Sequence, residues 1–400
     1  MLLIISDDHG SSDYGFLGSP HVRTPNLDRL ASESLVYRRG YVASSLCCPS
    51  LATIITGLYP HQHKITSNDP PAPPGMARAE FYRSKEFLDG REAMNRHLEA
   101  VPTLPRLLAS RGYASLQTGK WWQGDYRRGG FTHGMTKGAR HGDKGLEIGR
   151  KTLEPIREFL DAARRDGKPF FIWYAPMMPH EPHDPPERIL ARYREVAPSP
   201  HLARYWAMVA WFDETCGQVL RLLEERGLAE NTLVIYLADN GWTQNPDGPG
   251  SVRSKSTPYD AGLRTPILIR WPGRVSPGTS DRPVLSVDLA PTILAAAGLA
   301  PSPEMPGRNL LDAEAVGRRG AIFGECFAHD AVDLDRPGRN LLWRWAVEGR
   351  WKLIVPAGAE PPELYDVLED PQETKDLAND RPDVVERLRR KLEAWWTPGG

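Results

Sequence analysis

Two short polar clusters stand where apolar runs stop. Asp7-Asp8 follows Leu2-Leu3-Ile4-Ile5-Ser6, and Asp239-Asn240 follows the run from Thr232 to Ala238, more than two hundred residues later. Carboxylate and amide oxygens are hard donors, and four of them gathered at one point would hold a hard cation such as calcium or magnesium. Either pair alone reads equally well as turn carboxylates or helix caps. Their joint placement points to a metal, because strand ends of one polarity converge on the ligand crevice of an open α/β sheet.

A candidate nucleophile lies between the two clusters. Cys47-Cys48-Pro49-Ser50 leads into Leu51-Ala52-Thr53-Ile54-Ile55-Thr56-Gly57, a helix-like run with Pro49 in its first turn. That sets Cys47 beside a helix N-terminus, where backbone N–H groups favour anions and activated thiols. The plainer reading is a small buried cysteine. Lys120, Lys255 and His180 are cationic candidates; taken singly, each is as well explained as a solvated or structural side chain. His61 and His63 lie just past the signature run, and His63 is a candidate for substrate contact at a pocket rim. Glu325 and His329 are further candidates for setting specificity.

These residues need a scaffold, and the patterning supplies one. Leu2–Ser6 reads as a buried strand, and Thr24-Pro25-Asn26-Leu27 as the start of a helix. The alternation continues with a helix near Leu104 to Ser110, a strand near Ala114 to Gln117, a helix near Glu154 to Ala163 and a strand from Phe170 to Tyr174. A long helix is expected from His201 to Gly227, followed by the strand Thr232 to Ala238 and a further central strand from Pro266 to Trp271. This order predicts a mostly parallel sheet covered by helices. After about Arg318 the texture becomes aromatic and alternating, with a hairpin expected between Leu342–Val347 and Trp351–Val355, and a last helix from Pro382 to Trp395. The division expected is a domain of residues 1–318 and a smaller α+β unit of 319–400.

Composition narrows the partners. A formal net charge of -1 offers no broad electrostatic footprint for nucleic acid or an anionic membrane, so anion recognition must be local. No stretch approaches the roughly 20 apolar residues needed to span a bilayer. Cysteines at 47, 48, 216 and 326 form neither a disulfide framework nor a metal-ligand spacing, so a reduced chain is expected. Met1 leads directly into a core strand and not into a signal peptide: cytoplasmic as given, periplasmic or secreted should upstream residues be missing.

The segment from Cys47 to Gly57 resembles the signature of the sulfatase family, with Cys47, Pro49, Ser50, Thr56 and Gly57 in register. The likeness continues in order. Asp7-Asp8 and Asp239-Asn240-Gly241 resemble the two metal pairs, Gly112-Tyr113 with Gly119-Lys120 the second signature, and Pro179 to His183 the substrate-histidine loop. Lys255 with Tyr259, Gly262, Arg264 and Pro266 resembles the later lysine loop; Asp288, Pro291-Thr292, Pro306-Gly307, Glu363 to Asp366 and Asp370-Pro371 complete the pattern. The resemblance implies an alkaline-phosphatase-like α/β domain sandwiching its sheet between helices, a C-terminal α+β subdomain with an antiparallel sheet, and a sulfuric ester hydrolase. It also implies that a formylglycine-generating enzyme oxidises Cys47 to formylglycine, and that Asp7, Asp8, Asp239, Asn240 and the modified Cys47 hold calcium, with magnesium as the second choice. Lys120, Lys255 and His180 would then grip the sulfate, and His180 would protonate the leaving alcohol. A phosphomonoester, phosphodiester or phosphonate hydrolase on the same scaffold is the rival enzyme.

Two positions depart from the family pattern. Leu51 stands where the signature has arginine, which removes fixed donors near the nucleophile. Trp122 stands where many sulfatases place a histidine. Some sulfatases of N-acetylglucosamine 6-sulfate share that lack, and their Leu-Cys-Cys-Pro-Ser segment resembles Leu46 to Ser50, which suggests a sulfated sugar. The same departures suggest a degenerate member that binds a sulfated glycan without turning it over.

Overall fold

The computed structural model describes residues 1–399. The chain forms two compact units interleaved in sequence. One comprises Met1–Arg39, Pro105–Arg253 and Arg264–Asp281; the other comprises Gly40–Leu104, Ser254–Leu263 and the described residues from Arg282 onward.

The first unit is built on a sheet of β1 (Leu2–Ser6), β2 (Leu35–Tyr41), β3 (Ala114–Gly119), β4 (His133–Gly134), β5 (Phe170–Ala175), β6 (Val234–Ala238), β7 (Arg264–Arg270) and β8 (Gly278–Ser280). Their order across the sheet is β4-β3-β5-β1-β6-β7-β2-β8. β1 is central and pairs in parallel with β5 on one side and β6 on the other; β3 pairs in parallel with β5. Every residue of β1, β5 and β6 is buried, as expected of strands covered on both faces. The strand expected from Pro266 to Trp271 is β7, which lies inside the sheet but runs antiparallel to β6.

Helices cover this sheet. The helix Pro200–Glu225, capped by the Ser199 hydroxyl, buries Met208, Phe212, Cys216 and Val219 in the same core as Leu2, Ile4 and Tyr236. It also carries Asp213, whose carboxylate accepts N–H groups of Asn26 and Leu27 at 3.1 and 2.8 Å, at the start of α1 (Pro25–Ser32). A carboxylate at a helix N-terminus meets four otherwise unpaired donors and the positive end of the dipole. The expected helix at Glu154 runs to Arg165, and Ile156, Phe159 and Leu160 are its buried face.

In the second unit the last two residues of β2 pair with β9 (Val284–Leu285). A separate antiparallel sheet has the order β10 (Ile322–Phe327), β11 (Leu341–Glu348), β12 (Trp351–Pro356), β13 (Glu363–Asp366). The expected hairpin is β11–β12, turned at Gly349 with φ 58°. The final helix runs from Pro382 to Trp395 as expected, buries Val384, Leu388 and Leu392, and packs the first two with Leu353 and Leu364. A helix at Lys85–Glu99 has no counterpart in the sequence reading. A Cβ at its Gly90 would come within 2.3 Å of the Pro70 side chain, so close packing explains a glycine inside this helix.

Among the described residues no helix is long and apolar enough to cross a membrane. All four cysteines are buried, and none of them forms a disulfide.

Candidate metal and anion site

The first unit gathers six of the expected residues at the C-terminal ends of β3, β5, β1 and β6. β1 and β6 are in register from Leu2–Val234 to Ser6–Ala238, so Asp7-Asp8 and Asp239-Asn240 leave the sheet side by side. Strand alternation would send Asp7 and Asp8 to opposite faces. Asp8 breaks it by adopting φ 56°, a left-handed conformation uncommon outside glycine. One ligand atom from each of Asp7, Asp8 and His180 then lies within 4.8 Å of the others.

Hydrogen bonds fix the arrangement. The Asp8 N–H donates to Asp239 Oδ1 at 3.2 Å, and Asn240 Nδ2 donates to Asp8 Oδ1 at 2.7 Å. Lys120, one residue past β3, donates to Asp7 Oδ2 at 2.6 Å and lies 3.7 Å from Asp239 Oδ2, with its side chain 1% exposed. His180 follows β5, donates Nδ1–H to the Glu181 carbonyl at 2.5 Å, and turns Nε2 towards Asp8 Oδ2 at 3.5 Å. Two buried carboxylates, Asp7 and Asp239, thus share one ammonium, and Asp8 lies beside Asp7. Carboxylates gathered in a poorly solvated place are what a divalent cation offsets, and the donors are hard oxygens.

A network missed by the sequence reading backs this cluster. Ser6 Oγ, Tyr236 and Tyr14 are hydroxyl-linked at 2.9 and 2.8 Å, and Tyr205 donates to Asp13 Oδ2 at 2.9 Å while accepting from the Gly10 N–H. Burial pushes the Asp13 carboxyl up to about 6 and the His9 imidazole down to about 3. Tyr205 and Tyr236 sit inside apolar stretches and Tyr14 in a polar loop, so nothing in their spacing joined them into one network.

The second unit carries Cys47, His63 and Lys255. Cys47 is the first residue of α2 (Cys47–Thr56), whose Cys48 N–H donates to Asn68 Oδ1 at 2.9 Å. The fully buried Ser50 hydroxyl in the same turn has no hydrogen-bond partner among the described residues. His63 lies inward beneath this helix and not at a rim: it is 1% exposed, its Nδ1 accepts the Ile65 N–H, and its Nε2 meets Thr53 Oγ1 at 3.1 Å. The loop bearing Lys255 is tied to Ser45, two residues before Cys47. The Ser256 N–H donates to the Ser45 carbonyl at 3.0 Å, and Ser45 Oγ donates to the Thr257 carbonyl at 2.7 Å. Asp260, at the end of that loop, is held in a buried triad with Lys352 and Glu373 at 2.7 and 2.8 Å from the ammonium. Glu325 is buried and pairs with His61 at 2.9 Å, whereas His329 is exposed and bonded to Asp330.

Comparison with known proteins agrees with this arrangement. A family model described as Sulfatase matches residues 1–299, and one described as N-sulphoglucosamine sulphohydrolase, C-terminal, matches 252–396. Human N-acetylgalactosamine-6-sulfatase is 30% identical over 365 residues, covering 80% of this chain and 66% of that protein. The chain therefore spans just under two thirds of the length of that relative. Among solved structures, a protein in complex with its substrate D-glucosamine-2-N,6-O-disulfate superposes with a TM-score of 0.79 at 19% identity, covering 98% of this chain and 96% of the other. A phosphonate monoester hydrolase of Silicibacter pomeroyi gives 0.68 at 19%, covering 98% and 94%. At such identities the likeness speaks for the fold, which is alkaline-phosphatase-like with a separate C-terminal antiparallel sheet. With the family model matched over 299 of 400 residues, the chain belongs to the sulfatase family.

Proposed function

We propose that the protein is a sulfuric ester hydrolase acting on a sulfated carbohydrate, with Cys47 as the source of its nucleophile. The observation that carries the reading is the cluster at converging strand ends in which Asp7 and Asp239 share Lys120 and Asp8 is bonded by Asn240. Asp7, Asp8, Asp239 and Asn240, with the modified Cys47, are the residues proposed to hold calcium, magnesium being the alternative. When bound, the cation supplies positive charge opposite the sulfate oxygens. Asn240 fixes Asp8 and Lys120 fixes Asp7, so the carboxylates are oriented before substrate arrives.

Lys120 and Lys255 are proposed to bind the sulfate oxygens. His180, with Nδ1–H committed to the Glu181 carbonyl, presents Nε2 as the atom that passes a proton to the leaving alcohol. Oxidation of Cys47 to formylglycine by a formylglycine-generating enzyme would supply, as the hydrated aldehyde, an attacking oxygen at the start of α2, and the Ser50 hydroxyl in the same turn is a ready partner. We assign His63 to holding α2 in place. Residues 1–318 are proposed as the catalytic domain and 319–400 as a distinct α+β subdomain.

The relative that acts on N-acetylgalactosamine 6-sulfate by its name, and the neighbour solved with a glucosamine disulfate, support a sugar sulfate as substrate. Leu51, buried in α2 where the signature has arginine, favours the second reading, a glycan-binding member without turnover. The phosphonate hydrolase neighbour keeps phosphate and phosphonate esters as comparison substrates.

The test is the mass of the Cys47 peptide after co-production with a formylglycine-generating enzyme, followed by turnover of matched sulfate and phosphate esters. An aldehyde and preferential sulfate release are expected, with both Cys47→Ala and Asp239→Ala abolishing release. An unmodified thiol with no hydrolysis would favour the binding protein, and faster phosphate or phosphonate release would favour the rival enzyme.

A further inference from the structure

Trp122 is 3% exposed, so its ring is a pedestal for polar groups and not a platform for substrate. The Lys120 ammonium lies 5.8 Å from the ring centroid and the Arg140 guanidinium 4.9 Å. The His141 ring meets the indole edge-on at 4.5 Å and lies 6.0 Å from the ring of His180. One buried indole therefore joins Lys120 and His180, both in the cluster at the strand ends, to Arg140 and His141, which the sequence reading did not single out.

The turn that presents these two residues is held tightly. His141 and Asp143 have φ of 69° and 38°, values rare outside glycine. The Asp143 carboxylate accepts N–H groups of Lys137, Gly138, Ala139 and Lys144 at 2.8 to 3.0 Å. Partial burial pushes that carboxyl up, but these donors outweigh it and leave it below the ordinary carboxylate value. Gly142 and Gly145 press on the Gly119 carbonyl, where a Cβ would come within 2.6 and 2.5 Å. Strained turns of this kind persist where their surroundings over-determine them, and they cluster at ligand-handling sites. Within the turn, Arg140 Nη1 donates to His141 Nε2 at 2.8 Å and so sets the direction of the guanidinium.

From this geometry we infer that Arg140, oriented by His141 and Trp122, forms a subsite for a second anionic group on the molecule whose sulfate is gripped at Lys120. The inference rests on the sulfate-ester reading. The second group is a carboxylate or another sulfate, since the planar guanidinium fork binds either through two parallel N–H···O bonds. A guanidinium already held over an indole and bonded to His141 loses less rotamer freedom on binding.

The experiment is titration calorimetry of the full chain, in calcium-containing buffer, with three probes: a hexose monosulfate, the same hexose bearing a second sulfate, and a sulfated hexuronate. One or both doubly anionic probes should bind about ten-fold more tightly than the monosulfate, and which of them does so identifies the second group. Arg140→Ala should bring the ratio close to one, and Arg140→Lys should restore part of it. If Arg140→Ala does not fold, Arg140→Gln must show the same collapse. Equal affinities in the parent, or a preference that survives removal of Arg140, overturn the subsite. Binding is read without turnover. A chain that discriminates but hydrolyses nothing keeps the subsite and sinks the hydrolase reading, and sulfate hydrolysis without discrimination does the reverse.

Discussion

Acid should weaken this protein through His63, and the size of the effect follows from two hydrogen bonds. The Ile65 N–H donates to Nδ1, which makes that nitrogen an acceptor and leaves the single ring proton on Nε2, facing Thr53 Oγ1 at 3.1 Å. A second proton would have to enter at Nδ1, against a backbone donor and inside a site 1% exposed. Burial, with nearby His61 adding to it, accordingly pushes the imidazole from its ordinary value down to about 3. The folded state thus favours the neutral ring. Above pH ~6.5 both states are neutral and stability is intact; as pH falls from ~6.5 towards ~3 only the unfolded chain takes up the proton, and stability is lost at up to about 1.4 kcal/mol per unit. Between pH 7 and pH 4.5 this one group removes about 2–3 kcal/mol. The assay is urea unfolding at those two pH values, for the parent and for His63→Gln, which keeps a polar side chain but cannot titrate. The variant should be less stable at pH 7 by roughly 1–2 kcal/mol for its altered bonds, and should lose about 2–3 kcal/mol less on acidification than the parent. Equal acid losses in both proteins would refute the reasoning.

Two further outcomes follow from packing. Lys352→Met leaves Asp260 and Glu373 buried without their ammonium and should cost about 3–5 kcal/mol, read as a fall in melting temperature; a loss under about 1 kcal/mol would mean that the triad is solvated. Gly142→Ala, with φ of 118° and a Cβ 2.6 Å from the Gly119 carbonyl, should cost about 1–3 kcal/mol and should weaken the preference for doubly anionic sugars; an unchanged preference would detach the turn from recognition.

Much of this protein was legible in the amino-acid order because its chemistry sits on the strongest local signals. β1, β5 and β6 are apolar runs, β1 and β6 leading straight into polar residues, as expected of fully covered parallel strands. Asp7-Asp8 and Asp239-Asn240 were recognisable because each directly follows such a strand, whereas Lys120 stood out only through the resemblance around Gly119-Lys120. Pro382 to Trp395 was bounded correctly because its buried Val384, Leu388 and Leu392 repeat every four residues on one face.

What only the tertiary structure decided was direction and depth. The left-handed turn at Asp8 that brings neighbouring carboxylates to one side costs local energy, and only the bonds from Asp239 and Asn240 make it worth adopting. The antiparallel course of β7 and the glycine inside the helix at Lys85–Glu99 each depend on a partner outside the element itself, and the inward burial of His63 depends on how its loop folds back beneath α2. Trp122 and Arg140 are eighteen positions apart, with no periodicity joining them; they meet because Gly142 and Gly145 let the later turn close on the Gly119 carbonyl. Pattern reveals which residues a strand must deliver, whereas packing at van der Waals distance decides which of them face one another.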